Sequence, residues 1–412
     1  MILHLNGAKQ SDAPIEMETC RAMRQRQKYD GVALVAPYTE PYARYSSHTA
    51  HWWIARALRG CLQTAGLNKN ALDGFCASSF SLAPDTAVGL TQHLGLCLRW
   101  LDHIPMGGAS AIVALRRAAR AVQAGDAEII ACVAGDTNHT DSFRKLLSGF
   151  SRFASDAAYP YGFGGPNMSF ALLTDHYMKT YGATRADFGK ICVAQRDNAL
   201  HAPGALMTKP LTLEQYLNAR MISDPIALFD CVMPCAGAEA FLVMTTDRAV
   251  KMGLPFARIS GLIERHNAHT DDPIQFRGGW TMDVDELYAM AEATPEQIDL
   301  LQSYDDYPVI SMMQMEDLGF CAKGEGPAFV RRHDLTIDGS FPHNTSGGQI
   351  SGGQAGAAGG YLGLVEAIRQ VTHTAGSTQV KGAKRAMVSG FGMINYDRGL
   401  CTGAAILEAG DI

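Results

Sequence analysis

A loop of small residues that opens a helix and runs on into an apolar strand ending in glycine occurs twice in this chain. No other feature restricts the fold as strongly. The first copy extends from Gly107-Gly-Ala-Ser-Ala-Ile-Val-Ala-Leu through Ala121-Val-Gln-Ala-Gly125 to Glu128-Ile-Ile-Ala-Cys-Val-Ala-Gly135. The second extends from Gly352-Gly-Gln-Ala-Gly-Ala-Ala-Gly-Gly through Leu364-Val-Glu-Ala-Ile-Arg-Gln-Val to Arg385-Ala-Met-Val-Ser-Gly-Phe-Gly392. Small residues let a helix lie deep in a fold with close backbone approach, and they expose N-terminal N–H groups to a ligand. Two copies about 245 residues apart point to a duplicated α/β domain. The pattern alone leaves open the alternative, a chance likeness of two unrelated βα-type units.

The remaining elements agree with an α/β chain. Gly31-Val-Ala-Leu-Val-Ala-Pro37 reads as a buried strand, Thr49 to Gly66 as a helix closed by its glycine, and Gly74-Phe-Cys-Ala-Ser-Ser79 as a second strand. The 412 residues allow two or three domains or one large duplicated one. We expect an N-terminal half over 1–250 and a C-terminal half over 251–412. With 47% apolar and 18% charged residues, the chain has a large core and is not disordered. A net charge of −6 without a long basic run argues against nucleic acid as a partner. The ten cysteines are scattered, which fits reduced thiols better than a disulfide framework. No apolar run reaches the ~18 residues of a membrane span, and the first residues lack the basic-then-apolar order of a signal peptide. The expected location is therefore cytoplasmic, with no membrane contact.

Between the two copies lies an insertion, about 151–234, rich in Tyr, Gly, Met and Pro, with helical stretches around Ser169–Tyr181 and Arg185–Asn198. Two readings stand for it: a segment that covers a substrate, or a dimer-forming or structural excursion.

Four stretches carry a resemblance to a family. They are Asp175-His-Tyr-Met-Lys-Thr-Tyr-Gly-Ala-Thr184 with Ala194-Gln-Arg-Asp-Asn-Ala199, Pro210 to Pro225 followed by Asp230-Cys231, Ser303-Tyr-Asp-Asp-Tyr-Pro308 with Glu316 to Glu325, and Asn344-Thr-Ser-Gly-Gly348 to Val371. Together they resemble the thiolase superfamily, on its sterol-carrier-protein-x/lipid-transfer-protein branch, over nearly the whole chain. The resemblance implies a thiolase fold, with duplicated αβαβα halves forming a five-layered sandwich around an inserted loop domain. It also implies a CoA-thioester substrate, a homodimer and no covalently bound cofactor.

The departures from the family pattern bear on the chemistry. Gly108 stands where family thiolases carry the nucleophilic Cys, Val388 where they carry the second Cys, and Gln354 where they carry the His of Gly-His-Pro. Claisen chemistry needs a thiolate to hold the acyl group, a base to activate it and a second thiol to move the α-proton. Glycine, valine and glutamine supply none of these. What the resemblance leaves is the electrostatic part of the site, backbone N–H groups mapped to Gly108 and Gly390. Tyr304 occupies the family's Asn/His position, as in the related aldolases that cleave steroid side chains as CoA thioesters. A tyrosine is an acid/base when its environment suits, and the Gln354 amide can donate to a carbonyl oxygen.

The expected catalytic set is therefore Tyr304, Gln354, Gly108 and Gly390, with His343, Gly353 and Asp305 as substrate-binding residues. Tyr304, Gln354, His343 and Asp305 also have plainer readings: a packed tyrosine, a spacer glutamine, a histidine satisfying backbone groups, and a turn or helix cap formed by Asp305 and Asp306. The expected reaction is a (retro-)aldol cleavage or formation of a carbon–carbon bond next to a CoA thioester, without an acyl-cysteine. A Claisen-type acyltransferase or thiolase, with Cys231 or Cys235 substituting for the nucleophile, and a non-catalytic scaffold subunit are the alternatives. Relatives on this branch imply a small partner with an OB-fold and a zinc ribbon. The aromatic- and Met-rich run Tyr159, Tyr161, Phe163 and Met168 suits such an interface, or the lining of the acyl tunnel. His266-Asn-Ala-His269 with Asp271-Asp272 lacks a second ligand cluster and reads as a solvated loop, so no metal site is expected.

Overall fold

The computed structural model describes residues 26–82, 86–137, 155–162, 165–396 and 398–410. The first residues of the chain, the opening of the insertion at Ser151 and Phe163 lie outside them.

Eleven strands are present among the described residues. They are β1 (Val32–Ala43), β2 (Gly74–Ser78), β3 (Trp100–His103), β4 (Ile129–Asp136), β5 (Met221–Ser223), β6 (Ile226–Ala227), β7 (Ala236–Thr245), β8 (Phe256–His266), β9 (Leu300–Gln302), β10 (Arg385–Asn395) and β11 (Arg398–Ala409). Nine of them follow the order β3-β2-β4-β7-β1-β8-β11-β10-β9, and β5 and β6 form a separate hairpin.

The nine-stranded order repeats a motif. β2 is parallel to β4, β4 antiparallel to β7, and β7 antiparallel to β1. In the same way β9 is parallel to β10, β10 antiparallel to β11, and β11 antiparallel to β8. The two sets meet only where β1 pairs β8 at Leu34↔Ala257 and Val35↔Phe256. The duplication inferred from the loop-helix-strand pattern is thus present in the strand topology.

Each copy of the pattern supplies one central helix. The first, Ser110–Ala124, is apolar over most of its circumference, because Ala111, Ile112, Val113, Ala114, Leu115, Ala118 and Ala119 are all buried. A helix with so wide an apolar face must be enclosed along that face. Gly125 ends it at φ +77, a left-handed C-cap that glycine adopts without steric cost. The second, Gly359–Val371, is enclosed in the same manner. The two central helices touch each other and strands of both sets. Outside them, the Ala50–Thr64 helix covers β1, β4 and β7, while the Val284–Ala291 helix covers β8 and β11. The order of layers is helix, sheet, two central helices, sheet, helix.

One polar face of the first central helix is tied to the second sheet. Arg116 and Arg117 reach Glu264 of β8 at 2.9 and 2.8 Å. Burial opposes ionisation of this carboxylate, but hydrogen bonds from Arg117 and Arg116 outweigh it and hold the Glu264 pKa at about 2.

The insertion contributes helices Pro166–Tyr181 and Arg185–His201. Thr184 and Asp187 cap the second reciprocally, the Thr184 N–H donating to Asp187 Oδ2 at 2.8 Å. Both insertion helices lean on the Pro308–Asp317 helix, which follows the Ser303–Tyr307 segment. That contact places the start of the Pro166–Tyr181 helix near the turns that open the two central helices.

Candidate active site

A cavity of about 250 Å³ lies where the loop before the first central helix, the end of β10 and the insertion converge. Its walls include Gly107 and Gly108, Phe391 to Ile394, Tyr304, Asp306 and Tyr307, Gln354 and Gly356. The insertion closes it with Pro166, Asn167, Phe170, Cys231, Val232 and Pro234. The insertion therefore does cover this cavity. Of its aromatic run, Tyr159 and Tyr161 are instead exposed on the surface.

Gly108 sits in the short helical turn Gly107–Ala109 that leads into the first central helix. The first N–H groups of a helix have no carbonyl one turn earlier to bond, so this end presents donors and positive potential. A β-carbon on Gly108 would overlap the Tyr304 ring and the Phe391 carbonyl. The Tyr304 ring thus fills the volume that a side chain at position 108 would need. A side chain at position 108 and the tyrosine ring at 304 therefore exclude each other sterically.

Two side chains lie against the Tyr304 phenol. Burial, the Asp306 charge and a hydrogen bond with Asp306 hold its proton on, well above the usual tyrosine range, and the Gln354 side chain acts in the opposite direction. Asp306 itself is pushed up to about 7, chiefly by burial, with Asp305 adding to the shift and Tyr304 opposing it. Its Oδ1 is buried and has no hydrogen-bond partner among the described residues. On the next wall Tyr307 donates to Asn167 Oδ1 at 2.5 Å, and Phe170 stacks on the Tyr307 ring with centroids 4.1 Å apart.

Gly108, Tyr304 and Gln354 come together at this cavity. Gly390 is not among its described lining residues. It lies in the β10–β11 ladder opposite Gly403 and packs against the Gly108 carbonyl, while Gly392, two residues on, does line the cavity. Asp305, His343 and Gly353 lie behind the wall. Asp305 accepts from the N–H groups of Gln349 at 2.9 Å and Ile350 at 3.2 Å, capping the short Gly348–Gly352 helix. His343 is fully buried, contacts Ser303 Oγ through Nε2 at 2.7 Å, and burial drops its pKa to about 3, so it is a neutral core imidazole. Gly353 has φ +117, a conformation reserved for glycine, and its backbone aims Gln354 toward the cavity. The Gln354 backbone is held by bonds to Met233 O at 2.9 Å and from Cys235 N at 3.0 Å.

Neither alternative nucleophile suits the task. Cys231 lines the cavity, but burial and Asp230 push its thiol up to about 12, and Cys235 is buried and raised further by burial. The thiolate is the nucleophilic form, and neither site favours it. Among the described residues no group of His, Cys, Asp or Glu is arranged to hold a metal ion.

The sequence reading takes Asp306 for a turn or cap residue, and it assigns Asn167 and Asp136 no place in the site. Alternation holds the signal for the first: in an extended segment, residues 304 and 306 face one side and 305 the other. Asp136, at the end of β4, has no such signal. It accepts from Ser79 Oγ at 2.7 Å, from the N–H groups of Phe80 and Ser81 at 3.1 and 3.0 Å, and from Ala357 N at 2.8 Å. One buried carboxylate thus fixes the Phe80 wall of the cavity and the turn before the second central helix.

Residues 264–401 match the family described as Thiolase C-terminal domain-like. A steroid side-chain-cleaving aldolase from Thermomonospora curvata is 31% identical over 349 residues, spanning 81% of this chain and 88% of that protein. The chain belongs to the thiolase superfamily, on the branch of the steroid side-chain-cleaving aldolases. A second relative on this branch, the 17-hydroxy-3-oxo-4-pregnene-20-carboxyl-CoA lyase of Mycobacterium tuberculosis, is 27% identical over 87% of this chain and 95% of its own length. Among solved structures, the Ltp2-ChsH2(DUF35) aldolase superposes with a TM-score of 0.79 at 27% identity, covering 93% of this chain and 99% of that one. Human mitochondrial 3-ketoacyl-CoA thiolase shares the thiolase fold at 14% identity and a TM-score of 0.65, covering 93% of this chain and all of that one. This thiolase-superfamily chain thus has the thiolase fold, and the described lining of its cavity holds a phenol, a carboxylate and a thiol whose proton burial retains.

Proposed function

We propose that the protein cleaves a β-hydroxyacyl-CoA by a retro-aldol reaction, or runs the reverse aldol addition, without a covalent acyl-enzyme. The observation that carries this reading is the Tyr304 ring lodged over Gly108, in the space a nucleophile would need, beside the N-terminus of the first central helix. The names of the two aldolase-branch relatives support it. Tyr304 takes the proton of the substrate's β-hydroxyl as the Cα–Cβ bond breaks. The electron pair moves onto the thioester, and the released fragment leaves as an aldehyde or ketone. The Gly108 N–H, with its helix end, holds the enolate oxygen, and the Gln354 amide adds a donor. Family correspondence puts the second backbone donor at Gly390. We place it at Gly392, because this residue lines the cavity. Coenzyme A enters as part of the substrate.

The relatives also include an acetyl-CoA acetyltransferase from Methanothermobacter thermautotrophicus, and its name suggests acyl transfer. The raised Cys231 thiol argues against that reading here. Incubation with mass-tagged acetyl-CoA decides between them: no acyl-cysteine adduct is expected, and a stable one restores the acyltransferase. Release of a carbonyl product from a panel of β-hydroxyacyl-CoAs is the direct assay. Its absence in the complete assembly favours the scaffold reading.

We further propose a small OB-fold partner carrying a zinc ribbon, alongside homodimerisation and a cytoplasmic location. The Ltp2-ChsH2(DUF35) structure is by its name a two-protein aldolase, and the exposed Tyr159 and Tyr161 offer an apolar surface on the insertion. Among the described residues no helix is long and apolar enough to cross a membrane. Co-expression with such a protein, size-exclusion chromatography and zinc analysis test the partnership. A chain fully active alone, with no mass shift on adding the partner, removes it.

A further inference from the structure

A buried phenol held firmly protonated is a poor base by itself, so the proton that Tyr304 accepts must displace the one it carries. The residues facing that phenol limit where it goes. Among the described lining residues of the cavity there is no lysine, arginine or histidine. The ionisable groups present are Tyr304, Tyr307, Cys231 and Asp306. Burial holds the two phenols and the thiol in their protonated forms. Asp305, adjacent in the chain, faces away and is committed to the Gln349 and Ile350 N–H groups. That leaves one carboxylate in the cavity, interacting with the Tyr304 hydroxyl and carrying an oxygen with no hydrogen-bond partner among the described residues.

We propose that Asp306 is a catalytic residue, the acceptor to which Tyr304 relays the substrate's hydroxyl proton and from which that proton returns to the α-carbon. The inference rests on the retro-aldol reading above. In the forward direction the β-hydroxyl O–H breaks as Tyr304 Oη gains that proton and passes its own to the Asp306 carboxylate. The O–H electrons form the new C=O, the Cα–Cβ pair moves to the thioester, and an enolate results. Once the carbonyl fragment departs, the Asp306 proton returns through Tyr304 to Cα, giving the shortened acyl-CoA. No proton is gained or lost overall, and no oxidant, metal or second nucleophile is required. Asp306 titrates at about 7, set by burial, Tyr304 and Asp305, so the acceptor form is well populated near neutral pH. An Asp in ordinary solvent would be ionised but too weak a base to take a proton from a phenol.

Asp306→Asn keeps the shape and removes the acceptor. In the complete assembly, turnover of a β-hydroxyacyl-CoA is expected to fall by about 10²–10⁴-fold, the usual share of general acid–base catalysis. Binding of a thioether analogue of the substrate should change little, which also reports that the variant is folded. In wild type kcat/KM should rise with pH through about 7, and in the variant that limb should vanish. A second readout is independent of turnover. The ultraviolet titration of Tyr304, isolated by subtracting Tyr304→Phe, should move to lower pH in Asp306→Asn, because a neighbouring negative charge is gone. If the variant stays near wild-type activity with its pH limb intact while Tyr304→Phe is inactive, Asp306 is not the acceptor and the retro-aldol reading survives. An unmoved Tyr304 titration also overturns the pairing. If the wild type cleaves no β-hydroxyacyl-CoA, the reading beneath falls and takes the role of Asp306 with it.

Discussion

A β-carbon at position 108 would overlap the Tyr304 ring and the Phe391 carbonyl oxygen. Because one contact is rigid backbone, the tyrosine cannot simply rotate away to make room. Gly108→Ala is therefore expected to destabilise the fold by about 1–3 kcal/mol through overpacking and to displace the phenol from the cavity. Urea unfolding and the cleavage assay check both parts. Gly108→Cys should fail to produce thiolytic activity for the same reason, since the new sulfur and the Tyr304 ring compete for one volume. Asp306 gives a prediction with a definite sign. Its pKa rises from 3.8 to about 7 on folding, so the folded state holds this proton more tightly. That contribution to stability is present below about pH 4 and is lost as pH rises through about 7. Asp306→Asn has no such ionisation. Its Tm relative to wild type should therefore increase between about pH 5 and about pH 8, as thermal melts at the two pH values will show.

At the scale of elements, the site depends on how closely the two central helices approach. A β-carbon on Gly360 would lie 2.7 Å from the Gly107 carbonyl and 2.9 Å from Gly108 Cα. The second central helix thus packs its opening turn against the turn that carries the Gly108 N–H. Gly360→Ala should weaken catalysis by displacing that turn, although it lies outside the cavity lining, and kcat should respond more than KM. Asp136 fixes the other approach. Asp136→Ala would leave the buried Ala357 N–H and the part-buried Phe80 N–H without this acceptor, and an unsatisfied buried donor costs about 1–3 kcal/mol. A loss of about 1–3 kcal/mol is expected, with a raised KM because the Phe80 wall is freed. Equilibrium unfolding and steady-state kinetics on the one variant test both.

For the molecule as a whole, β1 and β8 share only two residue pairs, yet the central helices bury side chains against both sheets. Cohesion between the halves therefore comes from the shared helical layer and from the Arg116 and Arg117 bridges to Glu264. A layer common to both halves makes their unfolding cooperative. One calorimetric transition is expected, and two resolved transitions would show that the halves are independent.

The small-residue loop, helix and glycine-ended strand, present twice, determined the duplicated α/β architecture, because close packing of a buried helix demands that composition wherever it occurs. That glycine, valine and glutamine lack the groups of thiol chemistry in any environment is legible from residue identity alone. The placement of Tyr304 and Gln354 followed from their positions in family motifs. Other roles depend on surroundings that residue identity does not carry. His343 is neutral because burial disfavours its charged form. Asp305 and Asp306 are chemically identical neighbours, yet one caps a helix and the other faces the cavity. Only the tertiary structure separated them, because the direction of an extended segment's two faces is set by the Pro308–Asp317 helix and the Gly348–Gly352 turn packed around it. Long-range contact likewise decided that Asp136 joins β4 to the second central helix, 221 residues away in the chain. A carboxylate's partners and proton affinity are properties of that enclosure.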